Sequence, residues 1–138
     1  MSDEPSGHWT DDLKRACEAG RWNGCVGTTL VSETSKVRVW HLRLPAFQRF
    51  DFHRHVLNYF WTSLSDGRTR NYFEDGRSTE REIFKGFTMH KEFALGEYML
   101  HSVENLGGND LEFTTVEFLD SPNAPLPIPD DKRLRGPE

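Results

Sequence analysis

Three histidines in strand-like surroundings are the residues of this sequence best suited to chemistry. Two of them, His53 and His55, are separated by a single residue. In an extended chain alternate side chains point the same way, so both imidazoles face one side of the strand and form a chelating pair. His101 lies in a second strand-like run, residues 97–105. The pattern predicts that the two strands fold together and that the three rings meet around one metal ion.

Two further side chains are candidates for chemistry at such a site. If the strand runs regularly, Tyr59 lies on the same face as His55, where its hydroxyl could be a phenolate ligand, a general acid or base, or an orienting donor. The alternative is an ordinary inward aromatic that closes the interior. His90 could be a further ligand or contact the substrate, and the alternative is a hydrogen-bonded core histidine. Three neutral imidazoles suit Fe, Ni, Cu, Zn or Co and leave positions open for water or substrate.

The elements that position these histidines are predicted to be β-strands. From Gly24 onward the chain consists of short β-prone runs separated by turn residues, which is typical of an all-β sandwich or barrel. The Asp66-Gly67 turn predicts a hairpin between its flanking runs. Residues 78–84 have the charged pattern of an edge strand, and residues 86–93 are expected to pair with 98–103. The predicted strands are residues 25–33, 36–44, 50–55, 57–64, 68–73, 78–84, 86–93, 98–103 and 111–119.

The two ends of the chain differ from this central part. Residues 1–8 are polar and are expected to form a loose arm, after which Thr10 is a helix N-cap and Gly20 a helix stop. Residues 121–138 are rich in proline, so they cannot donate ladder hydrogen bonds regularly and are expected to form an extended tail. We therefore predict an arm and short helix (1–23), a barrel (24–120) and an extended tail (121–138) that packs along the barrel or a partner subunit.

Composition and charge limit the function classes. The formal net charge of −5 argues against a nucleic-acid surface, which would need a basic stripe. No apolar run approaches the roughly 20 residues that cross a bilayer, and the N-terminus lacks the pattern of an export signal. We therefore expect a cytoplasmic protein with neither nucleic acid nor membrane as partner. Cys17 and Cys25 are too few for a disulfide framework and are predicted to be reduced.

The strands and histidines together resemble the cupin superfamily. Cupins carry a first motif of His-x-His followed by an acidic residue and a glycine, and a second motif of glycine, proline-glycine, histidine and asparagine. The run from His53 to Tyr59, followed by Leu-Ser-Asp-Gly and a second Asp-Gly, is similar to small single-domain cupins labelled β-alanine degradation proteins. The resemblance covers about residues 36–119 and implies a double-stranded β-helix, the cupin or jelly-roll barrel. The matching residues are His53, His55 and Gly67 for the first motif and, loosely, Gly86, Gly96, His101 and Asn105 for the second.

The sequence departs from the cupin pattern at three points. The acidic ligand falls on Tyr59, or on Phe60 at the longer spacing, and the glycine before His-x-His is Phe47. The second motif has no proline, and its glycine lies five residues ahead of His101 instead of about three. A site without the carboxylate favours three-histidine iron of the dioxygenase kind over the four-ligand manganese or nickel sites of many cupins.

The resemblance implies a metal-dependent enzyme acting on a small organic acid or carbonyl compound. Iron is the favoured metal, with Ni, Zn, Mn, Co and Cu as alternatives, and isomerase or lyase chemistry is the alternative to dioxygenase chemistry. A second hypothesis is a non-catalytic small-molecule binding or sensor cupin that has lost turnover. By analogy with cupins of this size we expect a homodimer, formed through the first strand at residues 25–33. The pocket is expected to be shaped by Tyr59, Trp61, Met99, Phe113 and Arg38 or Arg43.

Overall fold

One short helix precedes nine β-strands in residues 9–134, the part of the chain that the computed structural model describes. A single 3₁₀ turn, Asp130–Lys132, follows the last strand. No helix within this range is long and apolar enough to cross a membrane. The elements are α1 (Asp11–Ala19), β1 (Thr29–Glu33), β2 (Val37–Leu44), β3 (Arg49–His55), β4 (Tyr59–Ser63), β5 (Gly67–Phe73), β6 (Ser78–Ile83), β7 (Thr88–Lys91), β8 (Met99–Asn105) and β9 (Leu111–Phe118).

The strands form two antiparallel sheets. The first has five strands in the order β1-β2-β9-β4-β7, and the second has four in the order β3-β8-β5-β6. From β2 to β9 the chain crosses repeatedly from one sheet to the other, as in jelly-roll architectures. The prediction of an all-β fold of this kind with a short N-terminal helix is confirmed.

Two predicted strand pairings are wrong. The turn at Asp66-Gly67 joins β4 to β5, which belong to different sheets and do not form a hairpin. Likewise β7 pairs with β4, whereas β8 lies between β3 and β5 in the other sheet. Turn residues report that the chain reverses, but they do not determine which strand it will hydrogen-bond. At the next turn, Gly76 has φ +91°, and β5 and β6 do pair, with β6 at the edge of its sheet as predicted.

Helix α1 covers the outer face of the four-stranded sheet. Its start is capped by Thr10, whose hydroxyl accepts a hydrogen bond from the backbone N–H of Leu13 at 3.2 Å. Its buried residue, Cys17, packs against Phe52 and Leu100. The helix ends at Gly20, where a Cβ would lie only 2.3 Å from the backbone oxygen of Phe52. The close approach of helix and sheet therefore requires a glycine at this position.

The tail packs along the five-stranded sheet as far as the structure describes it. The guanidinium of Arg38 donates to the backbone oxygen of Leu126 at 3.0 Å, and Arg133 forms a parallel bridge with Leu30. Arg133 also pairs with Glu33. The tail thus occupies the edge of β1 that was expected to serve a homodimer, and the dimer stays a prediction. The arm at residues 1–8 and residues 135–138 lie outside the described part of the chain.

The main apolar cluster lies between the sheets. It consists of buried residues from both sheets, with partly buried aromatic residues packed around it. Both cysteines are buried and unpaired. The buried members of the cluster are Leu42, Leu44, Ile83, Leu111 and Phe113.

Candidate metal centre

Strands β3 and β8 bring the three histidines together. His53 lies directly opposite His101 in the antiparallel register, and His55 lies two residues further along β3. The ring centroids of His53 and His101 are 4.6 Å apart, those of His53 and His55 are 4.9 Å apart, and those of His55 and His101 are 5.1 Å apart. All three rings are buried, and one nitrogen from each lies within 4.8 Å of the others. The predicted convergence is confirmed.

A β-bulge in β3 sets the direction of the first histidine. Phe50 pairs with Val103 and His53 pairs with His101, so that Asp51 and Phe52 together oppose the single residue between. Such a bulge inserts one extra residue and re-aims the side chains on either side of it. Phe50 and His53 therefore both face the interior, although simple alternation would place them on opposite faces. The aromatic ring of Phe50 lies 5.0 Å from that of His53.

Apolar packing on the outer face of β3 and β8 keeps the histidines on the inner face. Phe52 is 0% exposed and Leu100 is 3% exposed, and both pack beneath helix α1. A one-residue slip of either strand would expose these apolar side chains and turn the histidines out, so burial under the helix fixes the register.

Hydrogen bonds fix which nitrogen two of the rings present to the interior. His53 Nδ1 lies 2.8 Å from the backbone oxygen of Asp51, and His101 Nδ1 lies 3.1 Å from Asn71 Oδ1. Both partners are acceptors, so each Nδ1 carries the proton and each Nε2 is left with a lone pair. Metal-bound histidines almost always donate their second nitrogen in this way. Asn71 was not identified from the sequence, because nothing near it in the chain marks it as a histidine partner.

The third ring, His55, lacks such a partner. Its Nδ1 is buried without a hydrogen bond among the described residues, while its Nε2 lies 3.2 Å from Nε2 of His101. Two lone pairs cannot face each other at this distance, so either a proton or a cation must lie between them. Nitrogens bound to one zinc-like ion at about 2.1 Å are about 3.0 to 3.4 Å apart, which this pair matches. The donor set therefore fits a transition metal.

The protonation state of the rings also suits metal binding. Burial lowers the pKa of His53 to about 4, and burial lowers the pKa of His55 and of His101 well below the ordinary value of 6.5. The charges of neighbouring histidines act in the same direction on His55 and His101, and Lys91 adds to the effect on His55. Neutral imidazole is the form that binds a metal.

Tyr59 joins the site from the opposite sheet. Its ring stacks on that of His55 with centroids 4.2 Å apart and planes 18° apart. Residues 56–58 separate β3 from β4, so Tyr59 reaches this position by the facing of the two sheets and not by continuation of one strand. Burial, with the nearby carboxyl of Glu117, raises the pKa of Tyr59. Tyr59 lines the inner cavity, and its protonated hydroxyl is a hydrogen-bond donor.

His90 is not part of the three-histidine group. It lies opposite Phe60 in the pairing of β4 with β7, and the two rings are 5.3 Å apart. Its side chain is exposed, so the interpretation as a core histidine is wrong. Within residues 9–134 the metal-competent group contains His53, His55 and His101 alone. His90 borders the outer cavity, and a substrate contact there stays a prediction.

Two adjoining cavities lead from the histidines to the surface. The inner one has a volume of about 80 Å³ and is lined by all three histidines, and the outer one has a volume of about 360 Å³. Both are bordered by Tyr59, Trp61, Asn71, Arg81 and His101. Phe113 lines the inner cavity and Met99 the outer one, as the sequence suggested. Together they form a space for a small molecule.

The prediction that Arg38 or Arg43 shapes this cavity is wrong. Arg38 is buried but is held by Glu33 at 2.9 Å. Arg43 is paired with Asp110 at 2.6 Å. The arginine that lines both cavities is Arg81, on the edge strand β6.

Comparison with known proteins identifies the fold. No protein-family model matches the sequence, and no curated protein matches it significantly. In structure the chain is similar to a cupin domain from Bordetella pertussis Tohama I, with a TM-score of 0.56 and 21% identity over 63% of this chain and 85% of that chain. It is also similar to a protein from Bacillus halodurans, with a TM-score of 0.53 and 13% identity over 94% of this chain and 89% of that chain. The chain has the cupin fold.

Proposed function

We propose that the protein binds one divalent transition metal through the Nε2 atoms of His53, His55 and His101, and that it is a metal-dependent enzyme for a small organic acid or carbonyl compound. The observation that carries the proposal is the convergence of three buried imidazoles, two of which have Nδ1 engaged elsewhere. An imidazole-only set suits iron, nickel, copper, zinc or cobalt, and we favour iron and a dioxygenase-type reaction. Isomerase or lyase chemistry is the alternative.

The chain's own residues have separable roles in this proposal. Three protein ligands leave coordination positions free, as catalytic metal sites require. When bound, the metal would polarise an oxygen atom of the substrate or, if it is iron, supply redox chemistry for O₂. Asn71 orients the ring of His101, and the hydroxyl of Tyr59 can donate a hydrogen bond to a bound molecule. Trp61 lines both cavities with apolar surface and limits the access of water.

Elemental analysis of purified protein tests the metal. We expect about one transition metal per chain after purification without added metal or after reconstitution, and little metal in His101→Ala with an unchanged circular dichroism spectrum. His41→Ala is the matched control, because His41 lies on β2 outside the group and pairs with Glu112. A wild-type protein that retains no metal, or equal metal in His101→Ala and wild type, would overturn the proposal.

The second candidate function is a small-molecule binding or sensor protein without turnover. The observation that favours it is the missing carboxylate: the acidic position of the cupin pattern falls on Tyr59, whose ring stacks on His55. Trp61 lines the cavity and can report binding through its fluorescence. Ligand binding to the metal-loaded protein without O₂ consumption or product formation would favour this candidate over the enzyme.

A further inference from the structure

Arg81 directs a positive charge into the cavity. In the pairing of β5 with β6 it lies opposite Thr69, which is 4% exposed and lines the inner cavity. Residues directly opposite each other in an antiparallel pair share a face of the sheet. Glu80 and Glu82, on either side of Arg81, lie on the outer face and are exposed. The glutamates of β6 thus lie on the outer face of the sheet, whereas its arginine is half-buried on the inner face.

The guanidinium of Arg81 has no carboxylate partner within the described part of the chain. It lies over the ring of Phe87, 5.8 Å from the ring centroid, and that ring stacks on Trp61 at 5.5 Å. On the outer face of the same sheet the arrangement is different, because Arg68 and Arg70 both pair with one carboxylate. A half-buried arginine that borders a cavity and has no carboxylate partner is available to an anion from outside.

The charged side chains that line the two cavities among the described residues are both basic. Of residues 9–134, the lining includes Arg81 and Lys91 and no aspartate or glutamate, although the chain as a whole has a net charge of −5. Three neutral imidazoles would leave the charge of a bound divalent metal uncompensated, since no carboxylate belongs to the group. The lining of these cavities therefore favours an anionic ligand over a cationic one.

We propose that the site takes a small organic acid with two acidic groups, one paired with Arg81 and the other directed toward the three histidines, with Lys91 at the entrance. Along β5, Arg81 pairs with Thr69 and His101 pairs with Phe73. These positions are four residues apart, or roughly 13 Å along a strand. The two side chains approach the cavity from separate places, which fits a molecule that is acidic at both ends. The inference rests on the proposed function and specifies its ligand class.

Succinate and butyrate test the role of Arg81, because they have similar size and differ by one carboxylate. Binding of each is measured by calorimetry to metal-free and Zn²⁺-loaded wild type, Arg81→Gln, Arg81→Lys and Arg15→Gln. Arg15→Gln is the matched control, since Arg15 is exposed on helix α1 and the charge change is the same. A lost charged, two-pronged hydrogen bond corresponds to about 10- to 100-fold in affinity. We expect Arg81→Gln to weaken succinate binding by this factor. Butyrate binding is expected to stay unchanged in the Zn²⁺-loaded protein, where the metal can hold its single carboxylate.

Further outcomes separate this inference from the metal proposal. Arg81→Lys keeps the charge but loses the planar guanidinium, so we expect its affinity for succinate to lie between those of wild type and Arg81→Gln. This variant also tests the inference if Arg81→Gln does not fold. If wild type shows no preference for succinate in either form, or if Arg81→Gln keeps that preference, the inference is overturned. Metal content is measured on the same samples. If wild type retains no metal, yet prefers succinate and loses that preference on Arg81→Gln substitution, the metal proposal fails and the acid site is supported.

Discussion

Glu117 is a buried glutamate whose replacement by glutamine is expected to change how the stability of the fold depends on pH. Its side chain is 3% exposed on the inner face of β9 and accepts a hydrogen bond from Trp40 Nε1 at 2.8 Å. Burial raises the pKa of Glu117 from 4.5 to about 7, against the opposing effects of that hydrogen bond and of Arg38. Glutamine is neutral at every pH and retains an oxygen that can accept from Trp40.

The sign and size of the effect follow from the two pKa values. Between pH 4.5 and pH 7 the folded state holds the proton and the unfolded state releases it. The stabilisation is therefore fully present below pH 4.5 and is lost as the pH rises through 7. The whole difference corresponds to about 3 kcal/mol, of which about 2 to 3 kcal/mol falls between pH 5 and pH 8. Relative to wild type, Glu117→Gln is expected to gain this amount of stability over that interval.

Urea unfolding of metal-free protein at pH 5, 6, 7 and 8 measures the effect. The histidines oppose it in wild type, because their lowered pKa values cost stability as the pH falls below 6.5, but this contribution is common to both proteins and cancels in the difference. Glu82→Gln, on the exposed face of β6, is the matched control and is expected to run parallel to wild type. Free energies of unfolding for Glu117→Gln that also run parallel to wild type would refute the reasoning.

Three further substitutions test the geometry around the site. Asn71→Ala removes the partner of His101 Nδ1 and is expected to weaken metal affinity about 10- to 100-fold in a chelator competition, whereas unchanged affinity would deny Asn71 an orienting role. Tyr59→Phe retains the ring and loses the hydroxyl, so we expect turnover or ligand affinity to fall while metal content and melting temperature stay close to wild type; a loss of metal would instead make the hydroxyl a ligand. Gly20→Ala forces a Cβ against the backbone oxygen of Phe52 and is expected to lower the free energy of unfolding in urea by about 1 to 3 kcal/mol. Gly107→Ala is the control, because a Cβ there has no neighbour closer than 3.7 Å. Equal losses of stability in the two variants would contradict the close approach of helix and sheet.

The strands and the common face of His53 and His55 could be predicted because both follow from local alternation. His53 and His55 are two residues apart on one strand, so their common face needs no knowledge of the rest of the fold. His101 was placed beside them as a hypothesis from its own strand-like run, which local alternation cannot establish because the pairing of β3 with β8 spans a long stretch of chain. The bulge before His53 was not foreseen, since an extra residue in a strand leaves no mark in the hydrophobic pattern.

The polar residues that complete the site could not be identified from the sequence. Asn71 and Glu117 resemble ordinary solvent-facing strand residues, and their partners become neighbours only when the sheets pair. Arg81 lies in a charged run that was interpreted as an outward-facing edge. Its parity with Ile83, which is 4% exposed, was the available signal that this one arginine faces inward.

The three-histidine centre is tested most directly by an anomalous difference map from crystals of the metal-loaded protein, collected at the absorption edge of the metal found by elemental analysis. We predict one strong peak about 2.0 to 2.2 Å from Nε2 of His53, His55 and His101. A map with no peak between these nitrogens, or with the metal bound elsewhere on the chain, would contradict the account.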